Sequence, residues 1–205
     1  IPLDKTVYWF HCASLGEFDQ GDPIMHKLKI KDPSAFILVT FFSPSGMNHY
    51  LKRNHCVDVA YYLPLDTPSK AKEFILFFHP KVAYFVKYEF WANYIISAKK
   101  NGVKVFCVSA LFRKKHIFFK WYGGFFRKIL RAFDFIYVQN IQSKLLLDQI
   151  GVKNVIVSGD TRYDKVHKNY LSRIKEEDKN NVFNRFLLGQ KAIIIGSSWP
   201  KEESL

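Results

Sequence analysis

The sequence HCASLGE at residues 11–17 follows the apolar run Val7–Phe10. The run predicts a strand, and the glycine-containing turn after it predicts that a helix begins there. In α/β proteins ligands bind where such strands end. Glu17 would lie at the positive end of the helix dipole, where a carboxylate stays ionised and can act as a base or bind a substrate hydroxyl. A helix-capping carboxylate is the alternative, and the local sequence leaves both open.

The rest of the chain repeats this pattern of short, β-rich apolar runs separated by longer amphipathic stretches. Strands at this spacing predict βαβ crossovers and a Rossmann-like parallel sheet with helices on both faces. Most runs lack polar alternation, as expected for strands covered on both sides. The predicted strands are Val7–Phe10, Ala35–Thr40, Val57–Tyr62, Val82–Val86, Lys104–Val108, Phe135–Gln139, Asn154–Ser158 and Ala192–Gly196.

The predicted helices are Glu17–Lys29, Pro68–Phe78, Phe90–Asn101, Ile117–Phe133, Ile141–Ile150 and a stretch from about Asp164 into 175–181. The polar, charged segment near residue 180 reads as a linker or a solvated helix between two units. We therefore expect one Rossmann-like domain at 1–180. Residues 181–205 would hold a linker and the first strand and turn of a second, truncated domain.

Composition restricts the class of protein. The chain has 205 residues, of which 48% are hydrophobic, and this content excludes disorder for most of its length. Its net charge of +13 favours an anionic partner, either nucleic acid, an acidic membrane surface or a phosphorylated substrate. The three cysteines, Cys12, Cys56 and Cys107, lack CxxC pairing, so neither a disulfide framework nor a zinc site is indicated.

Polar residues follow five further predicted strands. In a parallel sheet these strand ends share one edge, so together they predict a cleft with carboxylates and guanidiniums, suited to a polyhydroxylated, anionic substrate. Each one alone also fits a turn or a helix cap. They are the Ser43–Gly46 turn, Asp66, Lys87–Glu89, Ser109 with Arg113, and Gly159–Arg162.

Several familiar sites are missing from the sequence. It contains no GxxxxGK[ST], GxGxxG, HExxH or GxSxG motif, which argues against a P-loop nucleotide triphosphatase, a zinc protease and a serine hydrolase. The seven histidines have no metal-ligand spacing, so no metal site is expected. Of these histidines, only His11 is expected near the cleft.

The stretch 113–131 interleaves basic residues with aromatic ones. It could lie on an anionic membrane, with rings at headgroup depth and cations on lipid phosphates. It could instead be a core helix whose cations face water, or a platform for nucleic acid, although no nucleic-acid motif accompanies the charge.

Six motifs together resemble, in order and spacing, the 3-deoxy-D-manno-octulosonic acid (Kdo) transferases, which add Kdo to lipid A precursor. The resemblance covers essentially the whole chain and matches the N-terminal half of that family. The motifs are His11–Glu17, Ser43–Gly46, Leu63–Asp66, Lys87–Asn93, Gly159–Asp164 and Gly196–Glu203.

The resemblance implies an inverting GT-B glycosyltransferase, in which an N-terminal domain binds the acceptor and a C-terminal domain binds the CMP-Kdo donor. It gives Glu17 the role of general base and Arg162 that of a cation that stabilises developing charge. No cofactor or metal is implied. The implied acceptor-binding residues are Ser14, Gly16, Ser43, Ser45, Gly46, Glu89 and Arg113, and the implied donor-binding residues are Ser197, Ser198, Glu202 and Glu203.

Two positions depart from the family pattern. The family usually has Glu-x-Glu where this chain has Lys87-Tyr88-Glu89. The first carboxylate is often given a transition-state role, so Lys87 is kept as a candidate catalytic residue. Either neighbouring groups in this chain take over the role of the missing carboxylate, or the site in this branch of the family uses a network with different charges. The motif after the fifth strand is also altered, to Val108–Arg113, where the Arg could contact acceptor phosphate.

The family usually starts with a hydrophobic anchor on the cytoplasmic face of the inner membrane. This chain lacks that anchor, so we expect a truncated form, inactive alone, that docks on anionic membrane through its basic aromatic surface. A non-catalytic membrane-surface protein and a nucleic-acid-binding module remain the rival classes. No nucleic acid is expected as a partner of the transferase.

Overall fold

The computed structural model describes residues 5–50, 55–175 and 199. Strands and helices alternate through them, as βαβ crossovers require. The strands are β1 (Val7–His11), β2 (Phe36–Phe41), β3 (Val59–Tyr62), β4 (Val82–Val86), β5 (Lys104–Ala110), β6 (Phe135–Val138) and β7 (Val155–Val157). The helices are α1 (Leu15–Lys31), α2 (Pro44–Tyr50), α3 (Pro68–Phe78), α4 (Ala92–Lys100), α5 (Gly124–Ala132), α6 (Ile141–Gln149) and α7 (Arg162–Lys175).

The seven strands form one parallel sheet in the order β3-β2-β1-β4-β5-β6-β7. The predicted fold class is confirmed, and seven of the eight predicted strands are present within a few residues. The eighth, Ala192–Gly196, lies outside the described residues. The strand order reverses between β1 and β4, and in such sheets this switch point opens a crevice at the carboxyl ends of the strands.

Each face of the sheet has its own apolar core. Alternation along β1 sends Trp9 into one core and Phe10 into the other, and both side chains are fully buried. The first core holds buried residues of α3 to α6, and the second holds residues of α1 and α2. Apolar packing therefore covers the sheet on both faces.

The predicted helix Ile117–Phe133 is wrong, because the chain there makes a 3₁₀ turn at Ile117–Phe119 and begins α5 only at Gly124. A Cβ on Gly123 would lie 2.1 Å from the Ile117 carbonyl oxygen, so only glycine allows the chain to fold back this closely. The Arg127 guanidinium fixes the turn by donating to the carbonyl oxygens of Phe118 and Lys120, at 3.0 and 2.8 Å.

The Ser43–Gly46 segment is more than the turn and helix cap considered from the sequence, since α2 begins at Pro44 and continues to Tyr50.

Contacts divide the chain into one unit of residues 1–166, which holds the sheet, and another of 167–205. In the second unit the structure describes only the end of α7 and Trp199. The predicted boundary near residue 180 falls outside the described residues and stays a prediction. No helix in the described ranges is long and apolar enough to span a bilayer.

Candidate active site

The two strands that flank the switch point bring two carboxylates to the same edge. Glu17 lies in the first turn of α1, directly after β1, and Glu89 follows β4 by three residues. They are close enough for the charge of Glu89 to raise the pKa of Glu17. The crevice that the strand order predicts is therefore lined by acidic groups.

Glu17 caps the start of α1 and also has a shifted pKa. Its carboxylate accepts hydrogen bonds from the backbone N–H of Ser14 at 2.8 Å and from the Ser14 hydroxyl at 3.1 Å. Burial raises the pKa of Glu17, the charge of Glu89 adds to this rise, and the Ser14 contacts and the charge of Lys87 oppose it. Gly16 beside it is exposed, with no side chain of its own to cover the first turn of the helix.

Glu89 has the opposite shift. Its carboxylate accepts a hydrogen bond from Trp91 Nε1 at 2.6 Å and lies 3.4 Å from Nε2 of His11. Burial acts to raise the pKa of Glu89, but the contacts with His11 and Trp91 outweigh it, so the net pKa is lowered. Glu89 is therefore the more firmly ionised of the two carboxylates.

A chain of buried polar groups holds His11 in place. Trp9 Nε1 donates to the Thr40 hydroxyl at 2.8 Å, and that hydroxyl lies 2.9 Å from His11 Nδ1. The Thr40 hydroxyl thus accepts from Trp9 and contacts His11 Nδ1, while His11 Nε2 faces the Glu89 carboxylate at 3.4 Å. Burial lowers the pKa of His11 and so favours the neutral ring, although the contact with Glu89 acts against this shift.

Lys87 directly follows β4 and has the left-handed conformation, with a φ of 63°. Non-glycine residues rarely adopt this conformation, and such strain is concentrated at functional sites. The charge of the Lys87 ammonium acts to lower the pKa of both Glu17 and Asp160. Ser109 on β5 is also left-handed, with a φ of 56°, and its hydroxyl lies 3.4 Å from that of Thr161.

Arg162 begins α7 at the far end of this edge. Its guanidinium donates to both carboxylate oxygens of Asp160, from Nε at 2.9 and 3.1 Å, and this contact lowers the pKa of Asp160. Burial raises the pKa of Tyr88, while the charges of Arg113 and Arg162 oppose that rise. Arg113, which follows β5, and Arg162, which begins α7, therefore both act on the Tyr88 phenol.

The residues after β2 and β3 have mainly structural contacts. The backbone N–H of Ser43 donates to the Ala13 carbonyl at 2.8 Å, which joins the β1 and β2 turns. A Cβ on Gly46 would lie 2.5 Å from the buried Phe41 ring, so Gly46 lets α2 pack closely on β2. Asp66 caps α4 by accepting from the backbone N–H groups of Asn93 and Tyr94. The Ser45 side chain lies outside what the structure describes.

A cavity of about 370 Å³ extends from Glu89 toward the 3₁₀ turn and α5. Its lining combines apolar rings with two carboxyl-bearing residues, a composition suited to an amphipathic ligand. Its lining comprises Asp66, Tyr88, Glu89, Phe90, Trp91, Ile117, Phe118 and Phe126.

The structure brings the candidates at residues 14–17, 87–89, 113 and 162 to the carboxyl edge of one sheet. Gly46 packs in the core behind it. The sequence placed Tyr88 in the Lys87–Glu89 strand end and Trp91 in the Lys87–Asn93 motif, but it assigned neither residue a role in the site. Ser197, Ser198, Glu202 and Glu203 lie outside the described residues. Within the described ranges, no group of three or more His, Cys, Asp or Glu side chains could hold a metal ion.

The family model of the 3-deoxy-D-manno-octulosonic-acid transferases (kdotransferases) matches residues 2–165. The Kdo transferase of Aquifex aeolicus is 31% identical over 160 residues, covering 78% of this chain and 41% of that protein. The Kdo transferase of Chlamydia muridarum is 25% identical over 213 residues, covering 97% and 46%. The chain thus spans less than half the length of these curated relatives.

Solved structures show the same fold at low identity. UDP-GlcNAc 2-epimerase from Neisseria meningitidis matches with a TM-score of 0.62 and 15% identity, covering 90% of this chain and 54% of that one. MurG from Acinetobacter baumannii matches with a TM-score of 0.53 and 9% identity, covering 76% and 45%. In each case about half of a larger, GT-B-type protein is matched, so the sheet described here corresponds to one of its Rossmann-like domains.

Proposed function

The chain belongs to the 3-deoxy-D-manno-octulosonic acid transferase family, and from that premise we propose that it is the acceptor-binding part of an enzyme that transfers Kdo from CMP-Kdo to lipid A precursor in lipopolysaccharide biosynthesis. The reaction proposed is an inverting transfer with Glu17 as general base. The observation that carries this proposal is the pair of carboxylates at the switch point: Glu17 accepts hydrogen bonds from Ser14, and Glu89 accepts one from Trp91 beside His11. Their pKa values are shifted in opposite directions.

Opposite shifts of this kind separate the roles of paired acids. A general base works best when its pKa approaches the operating pH, and the pKa of Glu17 is raised toward it. Glu89 stays ionised, and its remaining acceptor capacity suits a hydroxyl of the sugar. The hydrogen bonds from Ser14 hold the base in one orientation, which favours proton transfer in a fixed direction.

In the proposed step, Glu17 takes the proton of a glucosamine hydroxyl. The hydroxyl oxygen then forms a bond to the anomeric carbon of Kdo, and the bond from that carbon to the cytidylate phosphate breaks, so CMP leaves with the electron pair. Attack from the face opposite CMP inverts the anomeric centre.

The cations at the edge suit the charges of this reaction. We assign Arg162 and Lys87 to the negative charge that develops as CMP leaves, because fixed cations in a cleft stabilise such charge. Arg113 is assigned to acceptor phosphate, and the open first turn of α1 at Ser14 and Gly16 to the acceptor sugar. Ser43, Ser45 and Gly46, at the start of α2, are assigned to the same acceptor. Ser197, Ser198, Glu202 and Glu203 are assigned to the donor, and the remaining donor contacts would come from the rest of the protein.

The pH dependence of transfer tests the coupling of the two carboxylates. Because the base must be ionised, kcat/KM falls as the pH drops through the raised pKa of Glu17. Glu89→Gln removes the negative charge that contributes to this rise, so the acidic limb of the profile should move to lower pH. An acidic limb that stays in place, or moves to higher pH, would contradict the assignment.

We also propose that the protein docks on the cytoplasmic face of the inner membrane through the stretch 113–128. Phe118 packs in the core, as the core-helix alternative expects, but the rings of Trp121, Tyr122 and Phe125 are exposed, Trp121 by 91%. Exposed lysines accompany these rings, and the combination of interfacial aromatics and cations favours anionic lipid.

Vesicle flotation tests this docking surface. Replacing Lys114, Lys115, Lys120 and Lys128 with glutamine should abolish binding to vesicles with anionic lipid, at about 1 kcal/mol per cation. Arg127 stays unchanged in this variant because its guanidinium holds the 3₁₀ turn. Replacing four lysines elsewhere, namely Lys31, Lys72, Lys100 and Lys153, is the charge-matched control. An equal loss of vesicle binding in both variants would mean that binding depends on the net charge of the protein and not on this surface.

A further inference from the structure

An apolar groove runs between the edge strand β3 and the outer side of α3, with a volume of about 690 Å³. This volume lies in the range of ligand-binding clefts. The apolar part of its wall includes Tyr61, Tyr62, Pro64, Leu76, Phe77 and Phe78.

The helix α3 is apolar on the side that should face water. Ala71, Phe74, Ile75 and Phe78 already fill its inner face. Leu76 and Phe77 are nonetheless exposed, and Phe77 has 67% of its surface open. A surface helix normally carries polar residues there, and a contiguous apolar patch marks a binding surface.

The charged groups at the groove cancel each other. Lys70 and Glu73 pair across one turn of α3, with 2.9 Å between Nζ and Oε2, and both are more than half exposed. The groove therefore offers no net charge that would attract an ionic ligand. Its chemistry suits a neutral hydrocarbon.

The loop that follows β3 contributes to the groove and to the cavity at Glu89. Tyr62 is the last residue of β3, and Pro64, which lines the groove, is two residues from Asp66, which lines the cavity at Glu89. Leu65, between these two residues in the chain, is 70% exposed. The loop is held firmly, because the Tyr94 hydroxyl donates to the Pro64 carbonyl at 2.9 Å. This loop is the route by which a ligand with a polar head at Glu89 would reach the groove with an apolar chain.

We propose that the β3–α3 groove binds an acyl chain of the lipid acceptor while the glucosamine hydroxyl lies at Glu17. This inference rests on the proposed function, since it concerns the substrate of that same site. Hydrocarbon burial contributes about 0.8 kcal/mol for each CH₂ group. Acyl binding in this groove would thus add to affinity while the sugar contacts set the reacting geometry.

The test compares two acceptors with the full-length protein in detergent micelles. One acceptor is the acylated glucosamine disaccharide of lipid A precursor, and the other is the same disaccharide after alkaline removal of its ester-linked and amide-linked chains. Phe77→Ser and Tyr62→Ser remove exposed rings from the groove, and Ile30→Ser, at an even more exposed apolar residue near the end of α1, is the control.

We expect both groove variants to raise the KM for the acylated acceptor about tenfold, roughly 1.4 kcal/mol, and to leave the KM for the deacylated one unchanged. Ile30→Ser should change neither, and Phe77→Ser should bind anionic vesicles as the unsubstituted protein does. Equal effects on both acceptors, or on neither, would overturn the groove assignment while transfer itself stands. A dimer that the same variants dissociate, with no acyl-dependent effect, would assign the groove to a second copy instead. No transfer to either acceptor by the unsubstituted protein would overturn the proposed function and the groove together.

Discussion

Replacing Glu17 with glutamine is expected to lower the Kdo-transfer rate of the full-length protein about 10²- to 10⁴-fold, the range for loss of a general base. Glutamine has nearly the same shape, and its carbonyl oxygen can still accept the hydrogen bonds from Ser14. It cannot take a proton from the acceptor hydroxyl. The loss should therefore appear in kcat, with a small change in the KM for acceptor, measured by mass spectrometry of the lipid product.

Stability provides the control for this variant. The pKa of Glu17 is raised in the folded chain, so its ionisation costs stability as the pH rises through that pKa. At pH 7 the Glu17→Gln variant should unfold at the same temperature as the unsubstituted protein or higher. Asp148→Asn, a carboxylate substitution on α6, should leave the rate unchanged. A large fall in melting temperature with Glu17→Gln would assign Glu17 to capping alone.

Replacing Arg162 with glutamine is expected to lower kcat about 10²- to 10³-fold, as loss of one charge-stabilising donor does in other enzymes. Asp160 holds the Arg162 guanidinium through both oxygens, so the cation is fixed before substrate binds. Fixed cations of this kind act on charge that develops in the transition state, so the KM for acceptor should change little. Steady-state kinetics at varied acceptor concentration measures kcat and the KM for acceptor separately.

Two further variants define this effect. Arg162→Lys keeps the charge but loses the two-point contact with Asp160, so it should recover only part of the lost rate. Lys100→Gln removes an exposed cation at the end of α4 and should leave the rate as it is. Full activity of Arg162→Lys would mean that charge alone matters, and an unchanged rate with Arg162→Gln would remove Arg162 from the mechanism.

Much of this fold could be predicted because each strand is a short apolar run ending in a turn. Val82–Val86 and Pro68–Phe78 have the predicted bounds. The failure at Ile117–Phe133 arises from tertiary geometry: periodicity continues through Gly123, while the close approach to the Ile117 carbonyl exists only in three dimensions. The helix at Pro44 was missed beyond its cap because seven residues are too few for a clear periodic signal.

The site was predictable in outline for a similar reason. Strand ends collect at one edge of a parallel sheet, so Glu17, Lys87, Glu89 and Arg162 could be grouped from their positions alone. Their electrostatic differences could not be predicted. The contacts of Glu89 with Trp91 and His11, and the Thr40 link that orients His11, join residues 2 to 78 positions apart in the chain. No local pattern encodes such contacts.

The most direct test of the central claim is a transfer assay with CMP-Kdo and lipid A precursor, followed by mass spectrometry. It uses the full-length protein with and without Glu17→Gln. The proposed function predicts a mass gain of one or more Kdo units with the unsubstituted protein, and no gain in the same time with the variant. Turnover by Glu17→Gln at the unsubstituted rate would contradict the base assignment. No gain with either protein, when both are folded and bind anionic vesicles, would contradict the transferase function.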